Sequence, residues 1–483
     1  MASKKRNKKV AAKKASIESK AVDKPDTRAR IIERDGAGRI KRVWLHDTLN
    51  PSSAIVKAPT PAAGTASIEI VSKLRHVLSD AFLPVGYPDS VTPDYIGYQT
   101  FDSLQAFFST ITSLLANRAI LQGLGVGDAD SSATYAVLLT IFKDGISRIA
   151  TIGFAYRFGT VIEPEAKSYR FLADIFNDSA FFLDLLAPLL RGHDSAQVAL
   201  LVVAEALRAV CGVAAGASKA ALSSHFARRN NLSELNAKES SQETAVGLLG
   251  LLVGSVVVRY VEGRAAVFGL MIVLVLAHLA MNYLAVRCVQ LETFNKQRVT
   301  IVYEHYLETG EMLTYAAVAE REKIFGWKPV ATAADGRKLA RIEFARSYAD
   351  AMRGPDVICR TRRHVRGGYT NGESSFRLCL HRRGNALPVI KILLIGDPAG
   401  FDITYALTIE AWAAAIDLAH NTDLGSLSEI PEESRYRADL EDLWPPAYLE
   451  DQWHEAAPTD WSLLGNLEPS APWVTIDGER KDL

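Results

Sequence analysis

Charged side chains recur at helical spacing inside long apolar segments of the chain, and they are its strongest candidates for chemistry. Asp174 and Asp178 lie four residues apart. Asp144 and Arg148 have the same spacing, which places each pair on one face of a helix. An ionisable group in an apolar helix must face the interior of a bundle or water, because exposure to lipid is costly. We therefore predict a polar bundle interior made of six residues: Lys143, Asp144, Arg148, Asp174, Asn177 and Asp178.

The sequence leaves two roles open for these side chains. Lys143 and Asp144 could line a path for a substrate, or they could form ion pairs that hold helices together. Asp174, Asn177 and Asp178 could bind a cation, because carboxylates are hard oxygen ligands. A polar cluster without a metal ion is the favoured interpretation, and the sequence predicts no cofactor.

A glycine-rich segment, GLGVGD, follows the first apolar stretch and contributes four candidate residues: Gly123, Gly125, Gly127 and Asp128. The backbone amides of such a segment can hold a phosphate. No strand is predicted before it and no Lys-Ser/Thr pair follows it, which excludes a dinucleotide-binding motif and a P-loop. A tight turn between two helices is the favoured interpretation.

The polar segment at 228–243, RRNNLSELNAKESSQE, contributes four more candidates: Arg228, Arg229, Asn230 and Lys238. Its arginines could hold a phosphate or a lipid headgroup through charge-assisted hydrogen bonds. The alternative is a solvated loop that ends in a helix N-cap at Ser240 or Ser241. We favour headgroup binding.

Six apolar segments must position these residues. The longest uncharged segment spans 265–286, and its 22 residues would extend about 33 Å as a helix, the thickness of a bilayer core. Within it, His278 and Asn282 are predicted to hydrogen-bond to neighbouring helices. Another segment contains Gly250 and Gly254, a spacing that allows close helix packing. The six segments lie at 99–120, 132–156, 170–190, 196–218, 244–258 and 265–286.

Charge asymmetry predicts how such a bundle would be oriented. Six helices place both ends of the bundle on one side, together with the loops after the second and fourth helices. Those two loops hold seven basic residues, and the opposite loops hold three. The positive-inside rule then predicts that both termini are cytosolic. The same segments would also suit a soluble helical bundle.

Five motifs occur in an order that resembles the root UV-B sensitive family. They are LPVGYPDSVTPDYIGYQTFDSLQAFFSTITSLLANRAILQGLGVGD at 83–128, FKDGISRI at 142–149, RFLADIFND at 170–178, RRNNLSELNAKESSQETAVGLLG at 228–250 and FNKQRVTIVYEHYLETGEMLT at 294–314. The resemblance implies a multi-helical, membrane-associated protein without an established catalytic activity. It also implies roles linked to UV-B responses in roots, seedling development, vitamin B6 balance and auxin transport, with family members working together in complexes.

We predict a mainly α protein: a six-helix membrane bundle that resembles half of a major-facilitator carrier, followed by a small α+β domain. The usual carrier has two such halves, so transport would require a homo- or hetero-oligomer with a family member. The predicted protein is non-enzymatic, lies among membrane lipids and moves or senses a small metabolite. The alternatives are a soluble or peripheral helical scaffold and, third, an unrecognised enzyme, although GxSxG, HExxH and P-loop motifs are absent.

Basic and acidic residues are concentrated in different parts of the chain, and their distribution sets the predicted domain boundaries. The 55 Lys and Arg residues balance 55 Asp and Glu residues, which argues against a specific nucleic-acid partner. Residues 1–65 begin with a Lys-rich run and are predicted to be disordered, apart from a strand-like patch at 39–45. Residues 66–295 form the predicted membrane domain and 296–425 a cytosolic α+β domain. Residues 426–483 form an acidic tail with tryptophans, which docks on a partner or on its own domain.

The α+β domain has predicted helices at 303–323, 336–352 and 402–420, and predicted strands at 356–362, 375–382 and 388–395. A basic cluster at the first of these strands could meet anionic lipid, RNA or the acidic tail, or could only solvate a strand edge. The cluster is made of Arg360, Arg362, Arg363, His364 and Arg366.

The four cysteines are predicted to be reduced thiols. Their number is too small for a disulfide scaffold, and they show no CxxC spacing. Structural zinc is therefore not expected.

Overall fold

The computed structural model describes residues 28–34, 40–47, 56–57, 77–123, 133–190, 194–363, 375–396, 405–431 and 473–474. The chain divides into two compact units, residues 1–91 and residues 92–483.

The first unit contains a three-stranded antiparallel sheet. Its strands are β1 (Arg28–Arg34), β2 (Ile40–Asp47) and β3 (Val56–Lys57), in that order. The predicted strand-like patch falls in β2. β1 and β2 pair in antiparallel register, from Arg28 opposite Asp47 to Arg34 opposite Ile40, so these residues form strands where the sequence predicted disorder outside the patch.

Among the described residues, six long helices open the second unit, and each overlaps one of the six predicted apolar segments. The segment at 132–156 begins one residue before its helix, and the last four residues of the segment at 170–190 form a short 3-10 helix. The six helices have 21 to 33 residues, so each extends about 30–50 Å. The helices are α1 (Tyr95–Gly123), α2 (Ala133–Phe158), α3 (Ala166–Leu186), α4 (Asp194–Phe226), α5 (Leu232–Tyr260) and α6 (Arg264–Cys288).

The helices α1 and α3 lie at the centre of this bundle. Helix α3 packs against α1, α4 and α6, while α1 also packs against α5 and α6. Helix α2 packs mainly against α4 at the periphery. An apolar core between α1, α3 and α6 includes Ile111, Leu115, Phe181, Met271 and Val275. The charged helix α3 is therefore surrounded by other helices.

The outward faces of α5 and α6 are apolar. Leu248, Leu249 and Leu252 of α5 are exposed, and so are Val273 and Leu276 of α6. Among the described residues, the helices α4, α5 and α6 are long and apolar enough, by length and composition, to cross a membrane. Helices α2 and α3 are long enough but carry four and five charged residues.

The contact between α1 and α5 is close because of two glycines. A Cβ atom added at Gly250 would lie 2.9 Å from Thr110 Cβ and 3.2 Å from the Phe107 carbonyl oxygen. One added at Gly254 would lie 2.5 Å from Leu114 Cδ1. These distances confirm the prediction that the pair permits close helix packing.

Gly250→Ala is expected to destabilise the bundle by about 1–3 kcal/mol, because its methyl group would overlap a branched side chain and a backbone carbonyl. Gly254→Ala should destabilise the bundle less than Gly250→Ala, because the end of the flexible Leu114 side chain can move away. Gly269→Ala on α6 is the control, because nothing lies within 4 Å of its added Cβ. Melting temperatures in detergent compare the three, and equal values for Gly250→Ala and Gly269→Ala would contradict the close contact.

The C-terminal part of the second unit is an α+β domain. Its mixed sheet has the order β4-β5-β8-β7-β6; β5 pairs with β8 in parallel, and β9 adds to the end of β8. The strands are β4 (Val330–Thr332), β5 (Lys338–Phe344), β6 (Val357–Arg363), β7 (Ser375–His381), β8 (Val389–Ile395) and β9 (Trp473–Val474). The helices are α7 (Lys296–Thr309), α8 (Tyr315–Arg321), α9 (Tyr348–Met352) and α10 (Tyr405–Asn421).

The structure confirms three predicted strands and the last predicted helix of this domain, and it corrects two helices. The predicted helix at 303–323 is two helices, because Gly310 ends α7 in the left-handed conformation with φ of 73°. The predicted helix at 336–352 is wrong, since most of it is β5 followed by the short α9. Ala340 and Ile342 are buried on alternate positions of β5, where pairing with β8 overrides local helix propensity.

Cys359 and Cys379 form a disulfide, so the prediction of reduced thiols is wrong for this pair. They lie directly opposite each other in β6 and β7, with their Cα atoms 4.2 Å apart. Strand register brings them together, and their sequence spacing carried no sign of it. Cys211 and Cys288 are free.

Candidate functional site: a buried charged network

Arg170 lies at the centre of a buried charged network between α1, α3 and α6. Its guanidinium donates hydrogen bonds to Asp102 Oδ1 at 2.7 Å and to Asp174 Oδ1 at 3.2 Å. It also donates to Gln105 Oε1 at 3.0 Å and to the Tyr98 hydroxyl at 3.3 Å. The three α1 residues are spaced at i, i+4 and i+7, so one face of that helix supplies them all.

His278 of α6 extends the network towards Asp178. Gln105 Oε1 accepts from Arg170, so its amide nitrogen is the group that faces His278 Nε2 at 3.2 Å. The His278 Nε2 atom must then accept a hydrogen bond, which assigns the ring proton to Nδ1. Nδ1 donates to Asp178 Oδ2 at 2.8 Å. A continuous chain of hydrogen bonds therefore joins Arg170 to Asp178.

Asn282 closes the network one helical turn after His278. Its amide nitrogen donates to the Arg170 carbonyl oxygen at 3.2 Å and to the Asp174 carboxylate. The prediction that His278 and Asn282 hydrogen-bond to neighbouring helices is confirmed.

The network holds more acidic than basic groups. Asp102, Asp174 and Asp178 supply three carboxyl groups, and Arg170 supplies the guanidinium that pairs with two of them. A low-dielectric interior disfavours uncompensated charge. The arrangement can therefore take up a proton, whereas the described residues contain no group of three or more His, Cys, Asp or Glu side chains placed to hold a metal ion.

A second, half-buried charged cluster joins α2, α3 and α4. Lys143 Nζ lies 3.3 Å from Glu205 Oε2, and Arg208 Nη1 lies 3.5 Å from the same oxygen. Arg208 also pairs with Asp184, and its guanidinium lies 5.8 Å from the centre of the Phe181 ring. Lys143 therefore holds α2 to α4 and does not reach the first network.

The structure brings together only part of the predicted polar interior. Asp174 and Asp178 lie in the network, and Asn177 is half-buried beside them on α3. Asp144 and Arg148 are instead exposed on α2, so their prediction as interior residues is wrong. A single helix pattern does not show which face of a largely apolar helix meets its neighbours. The network residues not predicted as part of it are Tyr98, Asp102, Gln105 and Arg170, whose helical spacing was the available signal.

The predicted glycine-rich site cannot be assembled from the described residues. Gly123 is the last residue of α1, whereas Gly125, Gly127 and Asp128 lie outside the described residues.

The polar segment after α4 is mostly helix and not a loop. Helix α5 begins at Leu232, so the predicted N-cap at Ser240 or Ser241 is wrong. Leu235 and Glu239 are buried four residues apart, which shows that the polar start of the helix still has an inward face. The four candidates do not converge: Arg228 pairs with Glu292 at 3.2 Å, Arg229 and Asn230 are exposed, and Lys238 is half-buried on α5.

The basic cluster of the α+β domain contacts the beginning of the acidic tail. Arg360 donates to Glu429 Oε1 at 3.0 Å and to the Ile430 carbonyl oxygen at 2.9 Å. Arg362 donates to the Pro431 carbonyl oxygen at 3.1 Å. Of the partners considered for this cluster, the tail is the one that these contacts support. His364 and Arg366 lie outside the described residues.

A buried junction, formed by Lys167, Arg298 and Glu322, connects the bundle to the C-terminal domain. Glu322 Oε2 lies 2.5 Å from Lys167 Nζ, and Oε1 lies 2.6 Å from Arg298 Nη1. Burial raises the pKa of Glu322, but Arg298 and Lys167 more than offset it, so the pKa lies below its ordinary value. Arg287, at the end of α6, adds hydrogen bonds to the Ala319 and Glu322 carbonyl oxygens.

Fold and network together define a mainly helical protein with a charged network inside its helical bundle and a small mixed-sheet domain. Residues 69–310 match the model of the vitamin B6 photo-protection and homoeostasis domain. This match covers half of the chain, and the chain belongs to the root UV-B sensitive family. The family resemblance drawn from the five motifs is therefore confirmed.

Individual relatives cover the chain to different extents. The chain is 39% identical over 262 residues to RUS family member 1 of Dictyostelium discoideum. The aligned region covers 53% of this chain and 49% of that protein. It is 27% identical over 429 residues to protein root UVB sensitive 3 of Arabidopsis thaliana, covering 87% and 92% of the two chains. The chain thus spans about half the length of the first relative and nearly all of the second. No solved structure matches it.

Proposed function

We propose that this protein is a multi-pass membrane protein that moves or senses a small polar metabolite as a non-enzymatic member of a membrane complex. One observation carries the proposal: a charged network lies inside a bundle whose helices α5 and α6 present apolar faces outward. That distribution suits a lipid surround, because intramembrane charges face a bundle interior and mark substrate or proton pathways.

All six long helices cross the membrane in this proposal, with both ends of the bundle on the cytosolic side. Gln290, just after α6, donates its backbone N–H to Asp94 Oδ2 at 2.7 Å, just before α1, so the first and last helices share an end. At the other end, Arg118 of α1 donates to the Val258 and Val261 carbonyl oxygens. The distribution of basic residues among the loops supports the cytosolic assignment.

The metabolite is a vitamin B6 compound in this proposal, on the basis of the description of the matching domain. In this proposal the bundle acts as half of a carrier of the major-facilitator kind, and a second bundle from the same or another family member completes it. The acid excess of the network would bind a coupling proton or a cationic group of the cargo.

Alkaline carbonate extraction combined with protease protection tests the membrane assignment. The full chain should remain with the membrane pellet, and only its cytosolic segments should be digested in sealed vesicles. Release into the supernatant would contradict the proposal and favour a peripheral helical scaffold.

Uptake into sealed vesicles tests the transport role, with radiolabelled pyridoxine and pyridoxal as probes. Asp178→Asn should lower uptake about tenfold or more, because it removes the carboxylate that accepts the His278 proton in the network. Glu308→Gln, the same acid-to-amide change at an exposed position of α7, is the control and should keep full uptake. Absence of uptake by the wild type, or equal uptake by both variants, would count against a carrier.

A further inference from the structure

The outward face of α2 differs from every other apolar face described in the bundle. Ile141, Gly145, Arg148, Ile152 and Tyr156 lie on one side of the helix, at i, i+4, i+7, i+11 and i+15. This side is opposite to Leu139, which packs against α4. Ile152 is 69% exposed and Tyr156 is 91% exposed. We call these five residues together with Asp144 the α2 face.

Two charges interrupt the α2 face near the middle of the helix. Asp144 and Arg148 are both exposed, and the structure records no ion pair within 4 Å for either of them among the described residues. A charge that faces lipid at mid-depth costs about 2.5–3.5 kcal/mol. If the face lay in water instead, Ile141, Ile152 and Tyr156 would expose apolar surface. The face is therefore unsuited both to lipid and to water.

The outward face of α5 shows what a lipid-facing surface of this bundle looks like. From residue 244 to residue 258 that helix carries no charged residue, and Leu248, Leu249 and Leu252 are exposed. The α2 face is just as apolar at both ends but has an acid and a base one helical turn apart at its centre. A protein surface with the complementary pair of charges would cover it.

We infer that the α2 face binds the α2 face of a second copy of this chain. Two copies that share one membrane orientation are related by a two-fold axis along the membrane normal, so their α2 helices run parallel. Asp144 of each copy then lies one turn, about 6 Å along the axis, from Arg148 of the other. Both ion pairs form at once, so one surface satisfies its own two charges.

Gly145 allows the two helices to approach. It lies on the same face, and nothing lies within 4 Å of a Cβ atom added to it. A glycine at a helix contact brings the backbones close and shortens the path that Arg148 must span to reach its partner. The inference rests on the proposed half-carrier, since it names the surface through which two bundles would join.

Charge reversal tests this pairing in the full chain. Asp144→Lys and Arg148→Glu should each lower self-association at least about tenfold, because each places like charges across both halves of the contact. A mixture of the two variants should associate as well as the wild type. In the mixed pair the introduced lysine faces the introduced glutamate, while the unchanged Arg148 of one copy faces the unchanged Asp144 of the other. Co-purification of two differently tagged copies from co-expressing membranes measures the association.

The controls separate this contact from loss of folding. Leu252→Ala, on the uncharged face of α5, should leave association unchanged. Asp144→Asn and Arg148→Gln, which remove one charge each without reversing it, should also weaken association about tenfold. A wild type that is monomeric in the membrane, or a mixture that fails to recover, would overturn the inference. Because carbonate extraction is scored separately, a failure of the membrane assignment is distinguishable from a failure of this contact.

Discussion

Replacing Arg170 with alanine is expected to destabilise the protein by about 3–5 kcal/mol, because it would leave Asp102 and Asp174 buried without their cation. Tyr98 and Gln105 would lose hydrogen-bond donors in the same step. The melting temperature in detergent should fall by on the order of 10 °C. Much less folded protein should accumulate in membranes.

Two comparisons show whether the effect comes from the network. Arg170→Lys keeps the charge but has a single ammonium group, so it should recover part of the stability and none of the forked geometry. Arg229→Ala removes an exposed arginine and should change stability by no more than about 0.5 kcal/mol. If Arg170→Ala and Arg229→Ala have the same melting temperature, the network does not stabilise the bundle.

Much of the helical architecture could be predicted from the sequence. The six apolar segments are long, and a long apolar pattern of helical length identifies a helix well. Boundaries were harder. Helix α5 begins at Leu232, far before its uncharged segment, because its first turns are polar on the outside and bury only Leu235 and Glu239. The β5 strand was missed because its partner, β8, lies far away in the chain.

Site residues that share one helix could be predicted from the sequence, whereas the contacts between helices that complete the site could not. The spacing of Asp174 and Asp178 places both on one face, and that face is buried. Sequence alone did not show that this face meets Asp102 of α1 and His278 of α6, because the neighbours of a helix are set by tertiary packing. For the same reason Asp144 was assigned to the interior although α2 presents it outward.

The contrast between the buried Asp174 and Asp178 and the exposed Asp144 shows that charged residues have two different roles in this bundle. The charges of the network lie on the central helix α3 and on its neighbours α1 and α6. On α2, Lys143 also has a partner, Glu205 of α4. Asp144 and Arg148 lie on the most peripheral helix and have no such partner among the described residues. Internal charges can set the chemistry of the bundle, and outward charges can set its association with another bundle.

Glu322→Gln is expected to cost about 3–5 kcal/mol, because Lys167 and Arg298 would remain buried without an anion at the junction between bundle and α+β domain. Glu320→Gln is the matched control, since the Glu320 side chain is exposed two residues earlier. The melting temperature of Glu322→Gln should lie well below that of the control at pH 7. Similar melting temperatures would show that the junction does not hold the two parts together.

The same pair of variants should show a defined pH dependence. The pKa of Glu322 is held below its ordinary value of 4.5, so its carboxylate stabilises the folded state above that value. As the pH falls below 4.5 and approaches the lower pKa of the folded state, this contribution is lost in the wild type, whereas the glutamine variant cannot lose it. The stability gap between wild type and Glu322→Gln should therefore be constant from pH 7 to about 5 and shrink in stronger acid. A gap that stays constant to about pH 3, measured by chemical denaturation in detergent, would show that the Glu322 carboxylate is not the group that stabilises the junction.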